Sequence, residues 1–396
     1  MDSRPLDHIT VLDLTRNIAG SLCTKLLADF GADVIKVESP GEIQGIRDQA
    51  PFVHDERGPE LSLWSLYLNG NKKCVTLNLE TDVGVSIFKR LAMKANLVLE
   101  DFAPGTMERL GLDHQALIKL KRNLSMVSVS NFGQTGPYKD YSAVEITFEA
   151  LCGVMYGLGP YDEPPVKNGG SVFQCMAGLA AAGAVLTALY DRNQEDAGTY
   201  IDFSIAEAIL HSVCVPFVRY TYTGQVQRRE MKYSGDGHAA IPTTDGFITP
   251  FIFGYVDMEL LSHLVEEPEL AEPKFSSYHS RIMNLREFDS VLKRAFASHS
   301  KGFFHTAQEY GFGFAAIENI AEVVKSPQLA AREFFTPIEH PVVGEVGIPW
   351  PPFKTSEELV QSTPTHIVGE DNRKIYTELL GISENDLTRL KAEGVI

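Results

Sequence analysis

The sequence predicts an α/β fold in which a mostly parallel sheet is covered by helices on both faces, because strand-like and helix-like patterns alternate through the first 130 residues. Three successive stretches carry this. In the first, "ITVLDL" (9–14) reads as a buried strand, "SLCTKLLADF" (21–30) as a helix stopped at Gly31, and "DVIKVE" (33–38) as a second strand. In the next, "CVTLNL" (74–79) is a strand, Thr81 is a candidate N-cap for the helix through "VSIFKRLAMKA", and "LVLED" (97–101) is another strand. A loop, a helix capped by Asp113 and the strand-like "LSMVSVSNF" (124–132) complete the third. The Ala/Gly-rich run "MAGLAAAGAVLTALY" (176–190) reads as a core helix, and "GTYIDFSIAEAILHSV" (198–213) as a short strand running into a helix.

Near residue 223 the character changes. "TGQVQRREMKYSGDGHAAIP" is polar and aperiodic and reads as a linker or active-site loop; "DGFITPFIF" (245–253) opens a separate lobe with helical patterns to about residue 325. The tail has a Pro/Gly-rich crossing, "HPVVGEVGIPWPPF", and then a terminal helical pair. A length of 396 residues itself favours two lobes, since single domains run to roughly 100–200 residues.

The formal charge of −17 argues against an extended nucleic-acid or anionic-membrane surface, so a polyanionic ligand must meet local positive charge. Five scattered cysteines without a C-x-x-C spacing indicate neither a disulfide framework nor a zinc site, and a reduced cytoplasm is the expected location. The N-terminus has no apolar signal core, and no apolar run of the ~18 residues a membrane span requires stands out.

Several stretches admit both a chemical and a structural role. The turn "TRNIAGS" (15–21) leads a strand into a helix whose first N–H groups suit an anion, but it is not G-x-G-x-x-G, so a dinucleotide site is disfavoured. Lys72 and Lys73 lie in an Asn/Gly turn before a strand, placed either to hold phosphate or to be solvated. "EDFAPGTMERLGL" (100–112) puts a carboxylate, a Pro-Gly turn and Arg109 at a strand end, where open α/β sheets collect ligands. Asp236 and His238 lack a third metal ligand, and no metal site is expected. Cys175, near a helix start, is either a small buried residue or a low-pKa nucleophile, and Glu145 and Glu149, four apart, are either capping or catalytic carboxylates.

Taken together, "VLDLTRNIAGSLCTKLLADFGADVIKVESPG" (11–41), "NGNKKCVTLNL" (69–79), "ANLVLEDFAPGTMERLGL" (95–112) and "FGQTGPYKDY" (132–141) resemble the family III CoA-transferases, a group that includes formyl-CoA and carnitine CoA-transferases and α-methylacyl-CoA racemase. The likeness spans nearly the whole chain. It implies a large Rossmann-like α/β lobe built from both chain ends, a smaller central α/β lobe and an interlocked dimer, with 1–222 in the large lobe, 223–330 as linker and small lobe, and 331–396 returning to the large lobe. It also implies that coenzyme A thioesters are substrates and that no cofactor is bound permanently. The CoA would meet Ile18, Ala19, Lys72, Lys73, Cys74, Asp101, Phe102, Arg109 and Lys139, with the loop Gly235, Asp236 and Gly237 shielding the intermediate.

The family's nucleophile is an aspartate at the start of the small-residue helix, which attacks the thioester to form an acyl–enzyme anhydride that CoA and the acceptor acid then resolve. In "FQCMAG" that position is Gln174, whose amide lone pair is delocalised, and Phe173 replaces the preceding glycine. Ser39, Asp101 and Ala103 also depart from the family pattern, and Val144 stands where the racemase has its base histidine. The resemblance therefore implies a CoA-transferase acting between a (di)carboxylic acyl-CoA and a small carboxylic acid, as the aspartate-lacking subunit of a heterodimer or higher heteromer. A homodimeric CoA-thioester enzyme of altered mechanism, using Glu145, Cys175 or direct attack, and a non-catalytic acyl-CoA-binding subunit are the alternatives.

Overall fold

The structure is a computed structural model describing residues 4–396 except 42, 161, 196, 230–239, 253–255, 358 and 361. Its chain divides into two compact units, one of Met1–Gly153, Asn168–Thr221 and Glu333–Ile396, the other of Val154–Lys167 and Tyr222–Arg332.

In the first unit six strands form one parallel sheet: β1 (Thr10–Asp13), β2 (Asp33–Glu38), β3 (Lys73–Thr76), β4 (Leu97–Glu100), β5 (Ser125–Ser130) and β6 (Tyr200–Ser204), in the order β3-β2-β1-β4-β5-β6. The chain builds outward from β1 to β3 and then jumps back across β1 to β4. A crevice opens at the carboxyl ends of strands where the order reverses in this way. Strands this short stay parallel because helices carry the crossovers. These are α1 (Ile18–Asp29), α2 (Leu63–Leu68), α3 (Asp82–Ala92), α4 (Thr106–Arg109), α5 (His114–Ile118), α6 (Glu145–Leu151) and α7 (Val172–Glu195), with α8 (Ile205–Ser212) and α9 (Cys214–Thr223) following β6.

Local chemistry sets the helix ends. The Thr81 hydroxyl accepts the Gly84 N–H at 3.0 Å at the head of α3, and the Asp113 carboxylate accepts the Ala116 N–H at 3.1 Å at the head of α5, satisfying donors that a first turn leaves open. Gly31 closes α1 with φ +97°, a conformation that costs a β-carbon-bearing residue strain.

One face of the sheet packs Leu12, Ile35, Val75, Val98 and Met126 against Phe88 of α3 and against Ile375, Tyr376 and Leu387 from the C-terminal segment. Side chains from that segment also finish the edge strand β3: Asp371 accepts the Cys74 N–H and Asn372 the Thr76 N–H, both at 2.8 Å. On the other face α1 meets α7. A β-carbon at Gly178 would stand 2.7 Å from the Ala19 carbonyl oxygen, so the two helices touch backbone to backbone. The run Val172–Tyr190 is long and apolar enough by composition to cross a membrane, yet its small residues have a packing use, since Ala177, Ala181, Val185 and Ala188 form a buried stripe.

The Pro/Gly-rich crossing folds as an antiparallel hairpin of Phe335–His340 with Gly344–Pro349, where a strand had not been expected. Two-stranded ribbons have free edges on both sides and therefore tolerate Pro337 and Gly347. The terminal helical pair consists of Asn372–Lys374, continued by a π-type turn at Ile375–Leu379, and Glu384–Ala392.

The second unit has a three-stranded antiparallel sheet, Ile241–Thr243, Gly246–Phe251 and Gly313–Ala316, over a core containing Phe275, Phe288, Phe296 and Phe314. Val154–Lys167, assigned from sequence to the large lobe, groups here instead: the Arg229 guanidinium binds the carbonyls of Pro160 and Glu163 at 3.2 and 2.8 Å.

Candidate functional site

A cavity of about 430 Å³ opens at the carboxyl ends of β1 to β4, lined by Leu14, Arg16, Asn17, Val37, Glu38, Ser39, Leu77 to Glu80, Asp101 to Ala103, Thr106, Arg109 and Leu110. This is the crevice that the reversal in strand order creates. Three residues expected to meet CoA line it: Asp101, Phe102 and Arg109.

Asp101 is buried, and its two oxygens accept the backbone N–H groups of Arg16 and Asn17 at 2.7 and 2.8 Å. An internal carboxylate thus holds the two N–H groups that lead into α1, where the sequence had offered the turn to an external anion. Burial pushes the Asp101 carboxyl up to about 6 against the pull of Lys36 and these two donors. Ile18 and Ala19 follow in the first turn of α1, both buried behind Asn17. The Arg16 guanidinium lies over the Phe102 ring, 4.7 Å from its centroid, and 3.5 Å from the Ser39 hydroxyl. Arg109 is exposed and makes a two-pronged ion pair with Glu80, at 2.8 and 2.9 Å. Arg16 and Arg109 are the cations of the lining, and Glu38, Glu80 and Asp101 its acids.

The lysine turn does not reach this cavity. Lys72 is buried, and its ammonium donates to Asp13 (2.9 Å), Thr24 (2.7 Å) and the Ser21 carbonyl (3.0 Å). It cannot serve a phosphate while those bonds hold, so the expectation is corrected: Lys72 belongs to a buried ionic cluster with Asp13, Lys36 and Thr15. Burial holds the Lys72 ammonium down to about 8 despite Asp13, whereas burial raises the Asp13 carboxyl but Lys36 and Lys72 outweigh it and keep it well below the usual range. Lys73 opens β3 at the opposite end of the strand and pairs with Asp33 at 2.5 Å. Cys74 is buried, its thiol donating to Glu38 at 3.1 Å. Lys139 is exposed on the turn before α6 and is not among the lining residues. The loop Gly235, Asp236 and Gly237 lies outside the described residues, as does His238. Arg16, Ser39 and Glu80 are the site residues that sequence reasoning did not single out as ligands, although Arg16 lay inside a quoted turn.

Gln174 is the third residue of α7, beside α1: its neighbour Cys175 packs on the cluster of Ile18, Leu22, Ile46 and Leu68. Among the described residues its carboxamide has no hydrogen-bond partner. The backbone there is taken by Glu145, at the first position of α6, whose oxygens accept the N–H groups of Phe173 (2.8 Å) and Gln174 (3.3 Å). Glu145 is thus a buried capping carboxylate, touching the residue at the nucleophile position. Glu149, fully buried one turn later, accepts from the Asn168 amides through one oxygen, and among the described residues its other oxygen has no partner. The Cys175 thiol is pushed up by burial and then by Glu145, the opposite of an activated nucleophile. Among the described residues no cluster of His, Cys, Asp and Glu could hold a metal ion.

The sequence profile of CoA-transferase family III matches residues 6–372. Succinyl-CoA–D-citramalate CoA-transferase of Chloroflexus aurantiacus is 32% identical over 99% of this chain and 98% of its own. Succinyl-CoA:glutarate CoA-transferase of Mus musculus is 28% identical over 99% and 90%. Among solved structures, a CAIB/BAIF family protein from Brucella suis superposes with a TM-score of 0.86 at 25% identity, covering 96% of this chain and all of that one. A crevice at the strand reversal, a whole-chain profile match and full-length relatives thus converge, and the chain belongs to CoA-transferase family III, whose substrates are coenzyme A thioesters.

Proposed function

We propose that the crevice takes the nucleotide end of an acyl-CoA, and that this chain is the aspartate-lacking subunit of a heteromeric CoA-transferase acting between a (di)carboxylic acyl-CoA and a carboxylic acid. The observation that carries this is the head of α7, where Gln174 presents a neutral amide. In the exchange, a carboxylate attacks the thioester carbonyl, the C–S bond breaks, and CoA departs as thiolate, giving a mixed anhydride; the thiolate then attacks the anhydride carbonyl that belongs to the protein, forming an enzyme–CoA thioester and releasing the free acid. An acceptor carboxylate reverses the sequence. Gln174 cannot open it, so the homologous partner supplies the carboxylate while this chain contributes the Arg16, Phe102 and Arg109 side of a pocket. The names of the relatives support a dicarboxylic donor such as succinyl-CoA. Apolar side chains left exposed on α6 to α9, among them Val144, Ile146, Leu151, Leu179, Val215 and Val218, support cover by a second chain.

Incubation of the purified chain with succinyl-CoA, followed by hydroxylamine trapping and mass spectrometry, tests this. No adduct is expected at position 174, whereas Gln174→Asp is expected to give an acyl adduct there and CoA exchange by the single chain. Rapid exchange through wild-type residue 174 would overturn the proposal. A second reading is carried by Glu145, a carboxylate already at the head of α7; it requires the trapped adduct to map to Glu145.

A further inference from the structure

We propose that Glu80 gates the phosphate site of the crevice, holding Arg109 until a ligand phosphate displaces it, and thereby determines how strongly the protein selects phosphorylated ligands. The inference rests on the reading that a CoA thioester occupies the crevice.

Both residues line the cavity, and the Glu80 oxygens take the two Nη atoms of Arg109 at 2.8 and 2.9 Å. That forked geometry is the one a phosphate uses on arginine, so carboxylate and phosphate compete for the same two donors. The acid is also presented from a fixed turn. Its N–H donates to the Asn78 side chain at 3.0 Å, and the Asn78 carbonyl accepts the hydroxyl of Thr81, the cap of α3, at 2.9 Å.

No other lining acid shares Arg109. Asp101 is committed to the head of α1, and Glu38 to Arg47 at 2.8 Å. Arg16, the remaining lining cation, adds to the pull that keeps the Glu80 carboxyl below its usual range, after the larger effect of Arg109. A phosphate arriving at Arg109 must therefore break a matched pair and then lie in the same cavity as the displaced carboxylate. A ligand without phosphate meets neither penalty.

The full chain and its Glu80→Gln, Arg109→Gln and doubly substituted variants, titrated calorimetrically with CoA, 3′-dephospho-CoA and pantetheine, provide the test. Glu80→Gln is expected to bind CoA about three- to tenfold more tightly, with pantetheine unchanged and the gain abolished in the Arg109→Gln background. Retention of the gain with 3′-dephospho-CoA would put the diphosphate on Arg109, and its loss would put the 3′-phosphate there; both support the gate. CoA affinity within about twofold of wild type, a weaker affinity, or the same gain without Arg109 overturns the gate and leaves CoA binding standing. A wild-type chain that binds no CoA overturns the ligand assignment as well.

Discussion

The heads of α1 and α7 carry out the same local task with different consequences. Each has N–H groups held by a buried carboxylate from another element: Asp101, just past the end of β4, takes those of Arg16 and Asn17 on the approach to α1, and Glu145 of α6 takes those of Phe173 and Gln174 inside the first turn of α7. One cap forms a wall of the crevice, and the other touches the position where the family keeps its nucleophile. At α7 a helix head that looks ready for an anion is already occupied by the protein's own acid, whereas at α1 the acid holds only the two N–H groups ahead of the helix. Side-chain charge for a ligand's anion comes from Arg16 and Arg109, the cations that line the crevice.

Removing the second cap should have the largest effect on stability. Glu145→Ala strands two N–H groups at the head of α7 and is expected to cost about 3–4 kcal/mol in urea unfolding of the full chain. A cost below about 1 kcal/mol would mean that water replaces the cap.

The first cap should instead show itself through pH. A carboxyl near 6 in the folded chain and near 4 unfolded binds its proton more tightly when folded. Its stabilising contribution is therefore full below about pH 4 and is lost as pH rises toward 6, a swing of about 3 kcal/mol. Asp101→Asn should cut the slope of unfolding free energy across that window by about half; the slope that remains, from about pH 4.5 to 7, belongs chiefly to Glu100, also pushed up by burial, to about 7. An unchanged slope would remove Asp101 as its source.

Separating the two heads should have the smallest effect. Gly178→Ala forces α1 from α7 by the Ala19 carbonyl contact and offsets a gain in helix propensity, for a net loss of about 1–2 kcal/mol by thermal denaturation. A stabilised variant would show that the helices have room to shift.

Legibility differed between backbone and side chains. "DVIKVE" is a strand over its full quoted length, and Thr81 and Asp113 cap the helices they were expected to cap, because these signals lie within a few residues of their effect. The 335–349 hairpin was not legible because Pro341, Gly344 and Gly347 make its second half read as an irregular crossing, whereas the pairing that makes it a ribbon joins residues up to 14 apart in sequence, Phe335 with Pro349. In the candidate site, the stretch 100–112 was legible as a strand end carrying a carboxylate and Arg109, and Asp101, Phe102 and Arg109 line the crevice; the environment of Lys72 was not legible. Its charge was visible, but not its direction: it turns inward to Asp13, 59 residues earlier. Glu80 was passed over for the same reason, since its partner Arg109 lies 29 residues away.

Amino-acid order alone determined the alternation of strand and helix, the caps and stops, the family likeness and the neutral residue at 174, since each depends on composition or on near neighbours. Folding in three dimensions decided which charges face the crevice, which are consumed in the core, and that acids of the chain itself hold the approach to α1 and the head of α7. Coulomb and hydrogen-bond energies depend on distance through space, and only the packed sheet brings such partners within 3 Å or so of each other.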